Sequence, residues 1–325
     1  MSAFVGIDVS KATLDIVILI DKKQTHQKIA NTRKEIKKLI KKLHTVENIE
    51  RVCLEATGRY GDILSEALYL ADFAVSVENP LRIKSFAQSL LSRNKTDKYD
   101  AFVIALYAQR MQPKLWAPPS PAIKQLKQRT RLRHSLEKTR QEYRNRLKSG
   151  LDDPLTLKVI RDFIKHLDRR IEILNKKILN FMKQDTLLDQ QRKLLISIPG
   201  IADKTASVLL AEIGDIDKFN SPRALACYVG ITPQLRQSGS SVRGQTHISK
   251  QGNKRLRTAL YFPAISAKRW NPICHDFAHT LEQGGLAKKA IIIAVMRKLI
   301  HQVYGILKSR QPFDPHFQPK IKIGA

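Results

Sequence analysis

Between residue 3 and about residue 110 the hydrophobic period of the chain changes in a fixed order, and that order restricts the fold more than any other feature. Phe4-Val5-Gly6-Ile7-Asp8-Val9 is short and β-rich, and Leu14-Asp15-Ile16-Val17-Ile18-Leu19-Ile20 follows after a turn at Ser10-Lys11-Ala12. Asp21-Lys22-Lys23 turns the chain into a third strand over 24–30. Asn31-Thr32 then caps a basic helix with Ile36, Leu39, Ile40 and Leu43 on one face. A fourth strand over 51–55 is ended by Gly58, and a helix with Ile63, Leu64, Ala67 and Leu68 comes next. Ala74-Val75-Ser76-Val77 forms a fifth strand, and beyond Asn79-Pro80 helices run to about 110. The expected order is β-β-β-α-β-α-β-α, an α/β domain over 1–112, closed by Pro113, Pro118, Pro119 and Pro121.

Four acids lie at the edges of these segments. Asp8 ends the first apolar run and Glu55 ends the fourth strand, while Asp97 and Asp100 sit three apart in Lys-Thr-Asp-Lys-Tyr-Asp. Residues three apart share a helix face, so the pair points one way. Thr96 can cap that helix, and acids in a first turn are favoured by its dipole, which is the structural reading of the pair. For Asp8 and Glu55 the structural reading is solvation of strand ends. Taken together, carboxylates from different elements suit hard divalent cations, Mg²⁺ or Mn²⁺. Two such ions can activate a nucleophile and stabilise the leaving oxygen in phosphoryl transfer.

The partner of such a site follows from charge. The 325 residues carry 58 Lys+Arg against 29 Asp+Glu, a formal net charge of +29. That field attracts polyanions, and phosphate contacts with Lys and Arg release counterions, so nucleic acid is the expected partner. Residues 1–100 hold 17 basic and 13 acidic side chains, residues 101–190 hold 20 and 9, and residues 191–325 hold 21 and 7. The acidic quartet thus occupies the nearly neutral third, and the polyanion attraction comes from the rest. An apolar run near 18 residues is not seen, the N-terminus lacks a basic stretch ahead of its apolar one, and the three cysteines (Cys53, Cys227, Cys274) are far apart. A cytoplasmic, nucleoid-associated protein with no membrane partner is expected.

After the prolines two long polar helices are expected, roughly 122–150 and 155–184, broken at Ser149-Gly150-Leu151-Asp152-Asp153-Pro154. Leu167, Ile171, Leu174 and Ile178 recur at helical spacing, so 113–184 reads as a helical hairpin or coiled-coil linker. A mostly helical domain over 185–310 follows, then an extended tail over 311–325. Ile198-Pro199-Gly200-Ile201-x-x-Lys204 resembles a helix-hairpin-helix turn, whose backbone N–H groups meet a DNA phosphate; a packing turn is the other reading. Arg236-Gln237-Ser238-Gly239-Ser240-Ser241-Val242-Arg243-Gly244 puts three hydroxyls between two arginines, as a phosphate loop, a serine nucleophile or a plain polar loop. Lys250, Lys254, Arg255 and Arg257 form a basic stretch beyond it, suited to phosphate or simply to solvent. His275 and His279 lack the glutamate of a zinc motif and read as structural.

Gly6-Ile7-Asp8-Val9-Ser10-Lys11, Glu55-Ala56-Thr57-Gly58-x-Tyr60 and Asn94-Lys95-Thr96-Asp97-x-x-Asp100-Ala101 resemble the Asp-Glu-Asp-Asp transposases of the insertion-sequence-110 family. Ser197-Ile198-Pro199-Gly200-Ile201, Gly230-Ile231-Thr232-Pro233, Ser238 to Gly244 and Ile248-Ser249-Lys250-x-Gly252 resemble its C-terminal domain, in the right order. The strand–helix order resembles the ribonuclease H superfamily, in which the first and fourth strands are neighbours, so Asp8 and Glu55 should meet across a sheet. The resemblance implies a RuvC-like domain, a coiled-coil linker and a transposase domain with a serine nucleophile. It implies metal-binding roles for Asp8, Glu55, Asp97 and Asp100, and the nucleophile at Ser238, with Ser240 and Ser241 as lesser candidates. Nucleic-acid contacts are expected at Lys95, Gly200, Lys204, Arg236, Ser240, Ser241, Arg243, Lys250, Lys254, Arg255 and Arg257. It further implies a bridge RNA that pairs with target and donor DNA, delegating sequence reading to the RNA. A homo-oligomer, dimer to tetramer, would bring acids and serine together from different protomers. Two rivals remain at this stage: a junction-resolving nuclease that uses water, and a non-enzymatic architectural DNA binder.

Overall fold

A computed structural model describes residues 2–21, 23–91, 96–234, 237–238, 242–243 and 247–316, and it divides into two compact units, 1–118 and 119–325. Unit 1 is built on one five-stranded sheet. β1 (Ala3–Val9), β2 (Thr13–Ile20) and β3 (Lys23–Ala30) form an antiparallel meander, and β4 (Ile49–Glu55) and β5 (Val75–Glu78) continue it in parallel. The strand order is β3-β2-β1-β4-β5, so the first and fourth strands are neighbours, as the ribonuclease H likeness requires.

The helices cover both faces because β1, β2 and β4 are apolar on both. α1 (Arg33–Leu43), capped by Thr32, and α2 (Arg59–Leu70) lay Ile36, Leu39, Leu64 and Leu68 against Val5, Ile7, Ile16 and Leu54. On the other face α3 (Pro80–Ser89) and α4 (Asp97–Met111) pack Ile83, Val103, Ile104 and Tyr107 on Phe4 and Cys53. The chain then runs extended along β5. Trp116 donates its N–H to Val75 O at 2.8 Å and joins the core under α1 and α2, so this unit ends at 118 rather than 112.

Unit 2 is helical. α5 (Pro121–Leu147) and α6 (Pro154–Gln184) form the long hairpin, and α7 (Thr186–Ile196), α8 (Asp203–Ile213) and α9 (Pro222–Val229) follow. Four two-residue strands come next: β6 (Pro233–Gln234), β7 (Gln237–Ser238), β8 (Val242–Arg243) and β9 (His247–Ile248). α10 (Lys254–Trp270), α11 (Pro272–Gln283) and α12 (Lys288–Ser309) complete the unit. The expected boundary near 184 falls inside one continuous core: Leu126 of α5 and Ile178 and Met182 of α6 are buried in the same cluster as Leu195, Leu209, Leu256 and Leu299. α12 corrects the expectation that no segment is long and apolar enough to cross a membrane, since by length and composition it is. Its buried residues, among them Val295, Leu299, Ile300 and Val303, belong to that core.

Candidate active site

The unit 1 site is built where α4 meets the carboxyl end of β1. Side chains alternate along a strand, so Phe4, Gly6 and Asp8 share the α4 face of β1. A Cβ at Gly6 would lie 2.2 Å from both the Ala101 carbonyl oxygen and the Ala105 nitrogen. Only glycine on the strand and small residues on the helix allow that approach. It sets α4 down hard on β1, two residues before Asp8. One turn earlier Thr96 caps α4, accepting from the Tyr99 N–H at 3.2 Å, and Asp97 and Asp100 occupy the first turn. Burial first, and then the charges of Asp100, Asp97 and Asp15, push the Asp8 pKa up.

Glu55 ends β4 two residues beyond Cys53, the partner of Gly6, and so lies on the same face as Asp8. Among the described residues, no three His, Cys, Asp or Glu side chains stand close enough to hold a metal ion. The structure therefore gathers Asp8, Asp97 and Asp100 as electrostatic neighbours, with Glu55 on the adjoining strand end, and does not close them into a ligand cage. In kind the donors fit a divalent cation: they are carboxylate oxygens, and their mutual repulsion at Asp8 is what bound positive charge would relieve.

A lysine supplies part of that charge. Lys28 Nζ on β3 lies 3.0 Å from Asp97 Oδ2 and 3.1 Å from Asp15 Oδ2. Its hydrogen bonds to Asp97 and Asp15 push its own pKa up. Asp15 is paired with Asp8 across β1 and β2, is 4% exposed, and lies 2.9 Å from His26 Nε2. Sequence reasoning passed over Asp15. Its signal was a single acid inside the apolar run Leu14–Ile20, where burial of a charge demands partners. Glu78, paired with Glu55 in the β4–β5 register, was also missed; it is buried and lies 3.4 Å from the Tyr107 hydroxyl and 3.5 Å from Arg82 Nη1.

The candidate serine lies in unit 2. β6 pairs with β9, and β7 pairs with β8 in the register Gln237↔Arg243 and Ser238↔Val242. The backbone therefore sets Ser238 on the last described pair of a narrow two-stranded ribbon. Lys95, Arg236, Ser240 and Ser241 lie outside the described residues. The described basic residues of unit 2 that the sequence singles out divide by partner. Lys250 and Lys254 are exposed, as is Arg255, and Asn253 caps α10 just before them, accepting from the Arg255 and Leu256 N–H groups at 3.0 and 3.2 Å. Arg257 instead donates to Val229 O at 2.8 Å and holds α9 to α10. Lys204 pairs with Glu137 at 2.6 Å. At Gly200, with φ of 104°, a Cβ would lie 2.8 Å from Pro263 O, so this turn is packed against α10.

Comparison with known proteins bears on both units. Residues 192–279 match a family described as transposase, IS116/IS110/IS902 family, and residues 5–154 match the Asp-Glu-Asp-Asp transposases of IS110. The pilin gene-inverting protein of Moraxella bovis is 36% identical over 323 residues, covering 96% of this chain and 97% of that one, and its namesake in Moraxella lacunata matches to the same extent. An insertion element IS110 protein of Streptomyces coelicolor is 25% identical over 131 residues, covering 40% of this chain and 32% of its own. Among solved structures, RuvC of T. thermophilus in complex with a Holliday junction substrate aligns with 36% of this chain and all of its own at 16% identity. Its TM-score of 0.28 adds nothing to the strand order already described.

Proposed function

The chain belongs to the IS116/IS110/IS902 family of transposases, and from that premise we propose that it cuts and rejoins DNA with Ser238 as nucleophile and Asp8, Glu55, Asp97 and Asp100 as metal-binding acids. The observation that carries this is the seating of α4 on Gly6, which brings the Asp97 and Asp100 charges to bear on Asp8. A carboxylate whose pKa is raised by burial and by neighbouring acids is arranged for a cation rather than for stability.

Mg²⁺ or Mn²⁺ bound there would lower the pKa of a hydroxyl and offset the charge that builds on the phosphate. The chain's own residues do the rest. Asp8 and Glu55 on rigid strand ends, and the two acids on a capped helix turn, fix the donors in place before substrate arrives. The Ser238 oxygen attacks phosphorus, the O–P bond to serine forms, and the P–O3′ bond breaks. The serine proton is lost and the departing 3′ oxygen takes one up. A 3′-hydroxyl from the other strand reverses the step on the phosphoserine, so bond energy is kept and no ATP is needed. A Holliday junction is the intermediate of such an exchange. Acids and serine stand in different units, which suits assembly of the site from different protomers of a dimer or tetramer. A bridge RNA from the element would select target and donor, with Lys95, Arg236, Ser240, Ser241, Arg243, Lys250, Lys254 and Arg255 on phosphates. Gly200, Lys204 and Arg257 stay weaker candidates, given their packing roles.

The match along almost the full length of pilin gene-inverting proteins favours a second outcome of the same chemistry. Inversion is cutting and rejoining at two sites of opposite orientation on one DNA molecule. For either outcome, Ser238→Ala should abolish the protein–DNA adduct seen on denaturing gels and spare RNA binding. Adduct that survives in Ser238→Ala moves the nucleophile elsewhere, and cleavage without any adduct in the unaltered protein favours a nuclease that uses water.

A further inference from the structure

Unit 2 contains a second feature that the serine and the acids do not use. Between the β6–β9 pair and the amino-terminal half of α12 lies an open cleft of about 600 Å³. That is within the range of pockets that hold small organic ligands, roughly 300–1,000 Å³. Its floor is aliphatic, with Ile231, Ile248 and Ile293, and Phe277 of α11 forms one wall. Its rim is cationic. Lys289, Arg297 and Lys298 all line it, and none of the described lining residues is an aspartate or glutamate. Lys298 Nζ stands 5.4 Å from the centre of the Phe277 ring. At the far end His301 Nε2 is buried and has no hydrogen-bond partner among the described residues. Burial, with Arg297, Lys298 and Arg223 around it, pushes the His301 pKa down, so the ring is neutral and offers one donor and one acceptor.

An apolar slot with one aromatic wall, an unpaired polar edge and an exclusively cationic mouth matches one ligand class by charge and by surface: a nucleotide with its base turned out of the stack. A protein segment would leave three cations at the mouth without an acid unless it brought its own. The cleft is lined by Pro233, His247 and Ile248 of the β6–β9 pair, the strands that flank the Ser238 ribbon on either side in the chain.

We propose that this cleft receives one unstacked base of the strand handled at the ribbon, with the base against Phe277 and Ile293, its polar edge toward His301, and the flanking phosphates on Lys289, Arg297 and Lys298. This rests on the proposed action of the ribbon on DNA. Turning the base out fixes the strand's register at the ribbon without reading its sequence, because every base has an apolar face.

The test uses the full chain and a short oligothymidylate carrying one 5-iododeoxyuridine, which crosslinks under light to an aromatic ring it stacks on. The crosslink should map to Phe277. Ala294→Trp, at a half-buried lining position on α12, fills the slot. It should remove the crosslink and weaken oligothymidylate binding about tenfold, the value of one base stack. Lys298→Gln should weaken binding at low salt and reduce its salt dependence by about one phosphate contact. A crosslink that maps away from the cleft, together with unchanged binding by Ala294→Trp, overturns the proposal. So does loss of self-association in Ala294→Trp with oligothymidylate binding intact, which would make the cleft a protein contact. If the crosslink is absent while the unaltered protein still forms its serine–DNA adduct, the cleft assignment fails alone. If the crosslink is present and no adduct forms on any DNA, the recombinase assignment fails alone.

Discussion

At the scale of single residues, the position of Asp8 depends on Gly6. The backbone of α4 occupies the space a Cβ would need, and the oxygen and nitrogen that would clash belong to the helix itself. Gly6→Ala must therefore move α4, and the Asp97 and Asp100 carboxylates with it. The expected cost is about 1–3 kcal/mol in thermal or denaturant unfolding. Cleavage should be lost while DNA binding is kept, because all the proposed phosphate contacts but Lys95 lie in unit 2. Wild-type cleavage by Gly6→Ala would mean that the seating of α4 does not position the acids. Asp8 itself was legible in the sequence, since a carboxylate that ends an apolar run is poorly solvated. Asp15 was not, because a lone acid within a strand reads as an exception until the register shows Asp8 opposite and His26 and Lys28 beside it.

At the scale of elements, the supports of the basic face are polar contacts between helices distant in sequence. Glu212 of α8 is 4% exposed. It accepts from Arg131 of α5 at 2.8 and 3.1 Å, and from the Asn253 side chain, which also caps α10, at 3.0 Å. Burial would raise the Glu212 pKa, but the hydrogen bonds from Arg131 and Asn253 and the charges of Arg131 and Lys127 outweigh it and hold the pKa below the usual 4.5. A carboxyl with a depressed folded pKa adds stability above its unfolded pKa, and that stability is lost as pH falls through the folded value. Glu212→Gln should therefore destabilise the protein by about 2–3 kcal/mol near neutral pH, discounted because Arg131 is partly exposed. The gap in melting temperature should close as pH falls from the ordinary glutamate range through the lower folded value, where Glu212 takes up its proton. A gap that does not change with pH would exclude the charged pairing. Strand order and helix starts were readable because alternation, Thr32, Thr96 and Asn79-Pro80 are local signals. The partners of Lys204, Arg257 and Glu212 were not, because each lies tens of residues away and no local pattern marks it.

At the scale of the whole molecule, the division of labour is one of charge. The acids sit in the third of the chain that is nearly balanced, and the excess of Lys and Arg belongs to the rest. The long α5–α6 hairpin was expected as a separate linker, and the apolar stripe Leu167, Ile171, Leu174 and Ile178 reads the same whatever covers it. In the structure, Ile178 and Met182 are buried with α7, α8 and α12 in one core, which periodicity alone does not specify. In the proposed function, acids of unit 1 and the serine of unit 2, drawn from different protomers, act on the same phosphate. The most direct test is the serine–DNA adduct itself, formed with Mg²⁺ and the matching RNA and DNA, and mapped by mass spectrometry. The adduct should lie on Ser238, should vanish when the divalent ion is chelated, and should be absent from Asp8→Asn although that variant still binds DNA. Adduct on Ser238 at undiminished yield in Asp8→Asn would contradict the account.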